Sequence, residues 1–149
     1  MPTARKRSAE PINRRMAAVR SKDTRPEMAL RRMLFAMGFR YRLHRKSLPG
    51  CPDIVLPCLR TVVFMHGCFW HRHSGCYRAT VPGVNQAFWT AKFSATEARD
   101  KRNAELLRDL GWNVIVVWEC ELKHTESLRQ RLSTLLNRRR EEASTLPSA

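Results

Sequence analysis

Between residues 53 and 71 the chain carries an acid and two histidines that suit the hydrolysis of a phosphodiester bond. Asp53 begins a short apolar run rich in β-branched residues, and His66 ends the next such run. If the two runs pair as strands, the Asp53 carboxylate can hold a hard cation such as Mg²⁺. A histidine, either His66 or the following His71, can take a proton from an attacking water. A metal and a base held together favour in-line hydrolysis.

Two further acids lie in predicted helices and could orient the water or an imidazole. Glu27 lies early in a helix that Thr24 would cap, and Asp100 lies in a long helix. Each has a structural alternative, since Glu27 could complete a capping box and Asp100 could pair with a neighbouring basic residue. The sequence alone does not show that these acids meet Asp53 and the histidines.

A cluster of cysteine and histidine in residues 68–76 predicts a structural zinc site. Soft thiolates with one imidazole form closed tetrahedral sites, and five cysteines, an odd count, argue against a disulfide framework. Spacing leaves two choices open, because Cys51 competes with Cys120 and His71 competes with His73. No role follows for Cys58. The predicted ligands are Cys68, His73, Cys76 and Cys120.

Aromatic residues lie inside and just after the same polar segment. Phe69 and Trp70 follow the first cysteine of the cluster, and Trp89 begins the long helix. Apolar side chains can slide between base pairs and kink a duplex. Unstacking costs less at a step that is already mispaired. The alternative is that these rings belong to the core.

The charge of the chain favours a polyanionic partner. Lys and Arg total 28 against 13 Asp and Glu, which gives a formal net charge of +15. Arginine dominates the N-terminal third, and its planar fork suits phosphate oxygens. A solvated basic face is the alternative, and charge does not separate DNA from RNA. No apolar run approaches the roughly 20 residues that span a bilayer, and no secretory signal follows the N-terminus. We therefore expect a soluble intracellular protein.

The elements that must position these residues predict one α/β domain, a mixed β-sheet flanked by helices. We expect a flexible basic arm over 1–11, a single domain over 12–142 and a disordered tail over 143–149. The apolar strand 112–118 is expected to be central, because parallel strands buried on both faces read as continuous apolar runs. The remaining predicted elements are helices at 12–20, 24–37, 88–110 and 122–140, strands at 39–44, 53–56 and 61–65, and an irregular segment at 67–83.

Three motifs resemble those of the very-short-patch repair endonucleases. They are the runs from Leu48 to Asp53, from His66 to His71 (HGCFWH) and from Trp118 to Cys120. The resemblance covers most of the chain from about Ile12, and the HGCFWH run is highly specific. It implies a restriction-endonuclease-like fold and an enzyme that nicks DNA 5′ to the T of a T:G mismatch left by deamination of 5-methylcytosine.

The resemblance also implies roles for individual residues. Asp53 is similar to the carboxylate that binds Mg²⁺, and His71 is similar to the general base. The residue at 65 would offer its backbone carbonyl to the metal, so Met65, where the family usually has Thr, keeps that donor. Supporting active-site positions are Glu27, His66 and Asp100; structural zinc ligands are Cys68, His73, Cys76 and Cys120; DNA-intercalating residues are Phe69, Trp70, Trp89 and Met16.

The function expected from these observations is therefore a Mg²⁺-dependent mismatch nickase with a structural zinc. We expect a cytoplasmic, nucleoid-associated monomer that acts on double-stranded DNA and meets other mismatch-repair proteins. One alternative is a restriction-type endonuclease that cuts matched duplex. Another is a zinc-containing DNA-binding module without catalysis.

Overall fold

A four-stranded mixed sheet forms the centre of the protein. The structure, a computed structural model, describes residues 23–145. Its strands are β1 (Arg42–Leu43), β2 (Ile54–Leu56), β3 (Thr61–His66) and β4 (Asn113–Trp118). They lie in the order β1-β2-β3-β4, antiparallel except for the parallel pair β3 and β4. The α/β prediction of a mixed sheet with flanking helices is thus confirmed.

Three helices flank this sheet: α1 (Arg25–Ala36), α2 (Gln86–Asp109) and α3 (Thr125–Thr145). At the start of α1 the Glu27 N–H donates to Thr24 Oγ1 at 3.4 Å, as the sequence predicts. The expected capping box is only half formed, because the Glu27 carboxylate accepts from Arg31 instead. The α2 helix ends where Gly111 adopts a φ of +87°, a left-handed conformation that glycine accommodates without strain.

The helices cover opposite faces of the sheet because strand side chains alternate. Ile54, Leu56 and Val63 pack with buried leucines of α1 and α3. Val55 and Val62, one residue out of phase, pack with Leu107 of α2 and with Trp112. The same alternation assigns Asp53 and His66 to the face that α2 covers.

Two predicted elements differ from the structure. The apolar strand predicted to be central is β4, which lies at the edge of the sheet formed by residues 23–145. Its apolar character arises because both of its faces are covered, one by α3 and one by α2. The helix predicted at 122–140 is α3, which instead begins at Thr125 and ends at Thr145, and Arg139 pairs with Glu142 near its end.

The other helices and strands predicted within residues 23–145 are of the predicted type. The expected edge strand at 39–44 is shortened to β1 because Phe39 instead packs in the core. Residues 67–85 form turns without helix or strand. None of the helices in the described residues is long and apolar enough to span a membrane. The arm 1–11, the helix at 12–20 and Met16 lie outside the residues described.

Candidate active site and metal centre

A cavity of about 420 Å³ lies between the sheet and α2, at the ends of β2 and β3. The turn before β2 contributes Asp53, the end of β3 contributes His66, and the segment after it contributes His71. Asp100 enters from α2, half-way along that helix. The cavity therefore unites acids and imidazoles that lie up to 47 positions apart in sequence.

Asp53 is a half-buried carboxylate held against the adjacent strand. The Met65 N–H donates to Asp53 Oδ2 at 2.8 Å, which ties the acid to the end of β3. The pKa of Asp53 is raised to about 6, mainly by burial and to a smaller extent by the nearby Glu27 carboxylate, while the hydrogen bond from Met65 opposes the rise. An anion short of solvation in this way favours a bound cation, so the donor set suits a hard divalent metal.

His71, His66 and Asp100 form a second group in the cavity. The His71 Nδ1 atom lies 2.5 Å from Asp100 Oδ2, and the rings of His66 and His71 stack at 3.9 Å with planes 5° apart. Burial, and then the charge of His71, lowers the pKa of His66 to about 4. Burial by itself would raise the pKa of Asp100, but the hydrogen bond with His71 holds this pKa below its usual value. The pair therefore resembles a histidine oriented by a carboxylate.

Glu27 lies behind this cavity in a buried network. Its Oε1 accepts from Arg31 at 2.6 Å and lies 2.8 Å from His44 Nε2. Arg31 also bonds Asp23 at 2.7 Å, and this second carboxylate is 61% exposed. Because His44 lines the cavity with Asp53, Glu27 meets the site through His44 and not by lining it.

Four side chains with sulfur or nitrogen donor atoms form a second cluster, outside the cavity. Donor atoms from Cys68, His73, Cys76 and Cys120 all lie within 4.8 Å of one another. Cys120 Sγ lies 3.4 Å from His73 Nδ1, close to the roughly 3.5 Å that tetrahedral zinc geometry gives such a pair. The structure thus groups Cys120 and His73 here, whereas the competing Cys51 and His71 line the cavity.

The chemistry of these donors also fits a cation. Burial and the neighbouring thiols raise the pKa of Cys120 to about 12. The backbone N–H of Arg78 lowers the pKa of Cys76. Three thiolates this close would repel one another, and a bound soft cation would relieve the repulsion. The cluster could therefore hold zinc.

The aromatic residues named from sequence form one connected cluster. The Phe69 ring contacts Trp70 at 5.1 Å and Trp89 at 5.6 Å between centroids, and Trp70 contacts Trp89 at 5.8 Å. Beneath them lies Phe93, only 6% exposed. The rings of Phe69, Trp70 and Trp89 are partly exposed and belong to neither core cluster. Phe88, beside Trp89, is 39% exposed.

Sequence reasoning missed several residues at the cavity. His44 is the last residue of the strand predicted at 39–44, but its φ of +45° turns the chain in a way no pattern indicates. Arg99 and Asn103 also line the cavity from α2. Asn103 lies three residues after Asp100, and this spacing could have suggested it, since residues three or four apart share a helix face.

Comparison with known proteins finds relatives among the DNA endonucleases. A match to the family described as DNA mismatch endonuclease Vsr covers residues 3–78. The Type II nicking enzyme V.XorIIP of Xanthomonas oryzae pv. oryzae is 50% identical over 82% of this chain and 89% of its own. The Type II nicking enzyme V.NmeAIP of Neisseria meningitidis is 47% identical over 81% and 86%. The DNA mismatch endonuclease Vsr of Escherichia coli is 40% identical over 82% and 78%.

Together the site and these similarities define a DNA endonuclease, a hydrolase that acts on phosphodiester bonds. Within this class the chain belongs to the Vsr family of DNA mismatch endonucleases. Membership of an endonuclease family disfavours the alternative of a DNA-binding module without activity. A nuclease of this family is expected to use a divalent metal, and the cavity at Asp53 has the donors for one.

Proposed function

We propose that this endonuclease nicks double-stranded DNA 5′ to the T of a T:G mismatch, the product of 5-methylcytosine deamination, in very short patch repair. The observation that carries the proposal is that Asp53, His71 and Asp100 line the same cavity. Trp70, of the aromatic cluster, directly precedes His71 in the chain. The names of the relatives, which include nicking enzymes and a mismatch endonuclease, favour the same activity.

His71 is the proposed general base. Asp100 accepts from Nδ1 and so favours the tautomer whose Nε2 lone pair can take a proton from water. His66 stacks against the ring and limits its rotation. Glu27 supports the site from behind, through its contact with His44.

Asp53 and the backbone carbonyl of Met65 are the proposed ligands of Mg²⁺. When bound, the cation would polarise the phosphate and neutralise charge that develops on its oxygens. The Met65 N–H already fixes one Asp53 oxygen at the strand end. Because the proposed donor at 65 belongs to the backbone, the Met side chain does not remove it.

Cys68, His73, Cys76 and Cys120 are the proposed ligands of a structural zinc. Four protein donors leave no position for substrate, so the metal would hold residues 67–85 and not perform chemistry. The peptide from Cys68 to His73 includes both the general base and two of the rings. Zinc would thus fix the distance between the base and the aromatic cluster.

Phe69, Trp70 and Trp89 are the proposed wedge that opens the duplex, with Met16 approaching from the opposite side. Their mutual contacts, two edge-to-face and one tilted, hold partly exposed rings together at one surface. Inserting such rings into a stack costs less at a mispaired step. Mismatch preference would follow from this difference.

Other properties of the enzyme belong to the same proposal. The fold is proposed to be restriction-endonuclease-like, which helices on both faces of a mixed sheet support. We propose a monomer with the domain over 12–142, an N-terminal arm over 1–11, nucleoid association in the cytoplasm, and other mismatch-repair proteins as partners.

The deciding experiment compares end-labelled duplexes with and without one T:G pair. Incubation with Mg²⁺ should give a single nick on the T strand of the mismatched duplex, and EDTA should prevent it. Equal cutting of both strands in both duplexes would instead identify a restriction-type endonuclease. Nicking of matched DNA at the same rate would remove the mismatch from the proposal.

A further inference from the structure

Arg72 lies between the proposed base and a proposed zinc ligand but belongs to neither group. Its neighbours His71 and His73 turn to the cavity and to the cysteines, respectively. Arg72 itself adopts a φ of +55°, a left-handed conformation that costs a non-glycine residue energy. Such a conformation persists where the surroundings fix it, and here the fixing contacts are those of the guanidinium.

The guanidinium of Arg72 bonds three backbone carbonyls in the irregular segment. It donates from Nη1 to Phe69 O at 3.2 Å and to Thr80 O at 3.0 Å, and from Nη2 to Ala79 O at 2.9 Å. Residues 67–85 have no strand or helix to satisfy these carbonyls. One side chain therefore joins the start of the segment, at Phe69, to its far side at Ala79 and Thr80.

The same guanidinium also contacts the aromatic cluster. Its central carbon lies 4.0 Å from the centroid of the Phe93 ring and 5.8 Å from that of Phe69. These distances are within the range of cation–π attraction. Phe93 belongs to α2, one helical turn from Trp89. Arg72 thus connects the segment that carries Phe69 and Trp70 to the helix that carries Trp89.

We propose that Arg72 is a positioning residue that holds the aromatic wedge in the arrangement used for intercalation and thereby sets mismatch discrimination. The inference rests on the proposed wedge function of Phe69, Trp70 and Trp89. Rings that are already ordered lose less conformational entropy when they enter DNA. Lysine cannot replace the arginine, because a single ammonium lacks the planar fork that reaches several carbonyls while stacking on a ring.

Arg78 provides a matched control within the same segment. Its guanidinium pairs with Glu119 at 3.2 Å and lies 5.7 Å from the exposed Tyr77 ring. It contacts none of the wedge aromatics among the described contacts, yet its backbone neighbours Cys76. Arg78→Gln therefore removes a guanidinium from the same segment without removing a contact to the wedge.

The experiment compares the wild type with Arg72→Lys, Arg72→Gln, Arg78→Gln and Trp70→Ala. Dissociation constants are measured for T:G and matched duplexes, and 2-aminopurine beside the mismatch reports unstacking. Zinc content and Tm are measured for each protein. Arg72→Lys and Arg72→Gln should lower the T:G to matched affinity ratio about tenfold and reduce the 2-aminopurine signal, with zinc content unchanged. Arg78→Gln should keep the ratio.

The outcomes separate this inference from the function on which it rests. A wild type without T:G preference would overturn the proposed function, and the Arg72 inference with it. A wild-type preference that Trp70→Ala loses but Arg72→Lys keeps would overturn the Arg72 inference alone. Loss of zinc or a collapsed Tm in both Arg72 variants would also overturn it, since Arg72 would then serve the folding of the segment.

Discussion

At the scale of single residues, the cavity pairs an acid that is poorly solvated with an imidazole that is well oriented. Asp53 receives one N–H bond, from Met65, and its pKa is raised to about 6 by burial. His71 is held by Asp100 and stacked on His66. The first environment favours a cation, and the second favours a fixed base. This division of roles is a property of the surroundings of each residue and not of its type.

Replacement of Asp53 by Ala should abolish nicking while T:G binding persists. The substitution removes the proposed metal ligand but leaves the aromatic cluster and the cysteines intact. Since a bound metal contributes several kcal/mol to the transition state, the single-turnover rate should fall about 10³-fold or more. Gel-shift affinity for T:G duplex gives the binding readout, and Asp109→Ala, an exposed acid of α2, is the control. Nicking that survives in Asp53→Ala would remove this residue from the mechanism.

Replacement of Glu27 by Gln should destabilise the fold, because it removes the buried negative charge that pairs with the Arg31 guanidinium. Glu27 is 2% exposed and Arg31 is 8% exposed. Removing one partner of such a buried pair costs about 3 kcal/mol, and urea unfolding monitored by tryptophan fluorescence measures the change.

The control for Glu27 is Asp23→Asn, which alters a carboxylate at a similar distance from the same guanidinium. Asp23 is 61% exposed, so its pair with Arg31 is screened by solvent. The unfolding midpoint of Asp23→Asn should stay close to that of the wild type. Equal shifts in both variants would show that burial does not govern this network.

At the scale of elements, residues 67–85 are the part of the site that regular secondary structure does not hold. Their described backbone contacts are turns, such as His73 N–H to Cys68 O at 3.0 Å. Two sets of side-chain contacts span the segment, those of the Cys/His cluster and those of Arg72. A metal that joins residues 68–76 to Cys120, next to the end of β4, would anchor the segment to the sheet.

Replacement of Cys76 by Ser should release zinc and disorder this segment. The oxygen of serine is a poor substitute for a thiolate at a soft metal site, so elemental analysis should show less than one zinc per chain. Nicking should fall with it, since the segment carries His71. Cys58→Ser is the control, because Cys58 is exposed in the turn between β2 and β3. Full zinc occupancy in Cys76→Ser would show that the ligand set is wrong.

At the scale of the whole molecule, the net charge of +15 must act on the phosphate backbone irrespective of sequence. Each neutralised phosphate releases counterions, and so binding weakens as salt rises. The wedge adds an apolar contribution that depends on the weakness of the mispaired step. Affinity and discrimination should therefore respond differently to ionic strength.

Raising salt should weaken binding to T:G and matched duplexes in parallel. For about 6–10 phosphate contacts, affinity should fall on the order of 10³–10⁵-fold between about 50 and 200 mM salt. The ratio of the two affinities should change little. Fluorescence anisotropy at several salt concentrations measures both slopes. A preference for T:G that vanishes at high salt would assign discrimination to charge and count against the aromatic wedge.

Much of the architecture followed from local patterns. The cap at Thr24, the stop at Gly111 and the paired apolar runs that became β2 and β3 are short-range features, and each lies where the sequence predicts it. The position of β4 was predicted wrongly. A run of apolar residues shows that both faces of a strand are covered, but it does not show whether the strand has a neighbour on each side. The predicted capping box is only half formed because the Glu27 carboxylate has its partners in Arg31 and in His44, the latter outside its own helix.

The sequence by itself determined the kinds of chemistry available: an acid at 53, imidazoles at 66 and 71, four soft donors and a basic surface. Only the tertiary structure decided which of them meet. It brought Asp100 of α2 to His71, grouped His73 and Cys120 in place of His71 and Cys51, and added His44 and Arg72. The physical reason is that residue types are local, whereas convergence depends on how the sheet, α2 and the turns pack across long stretches of chain.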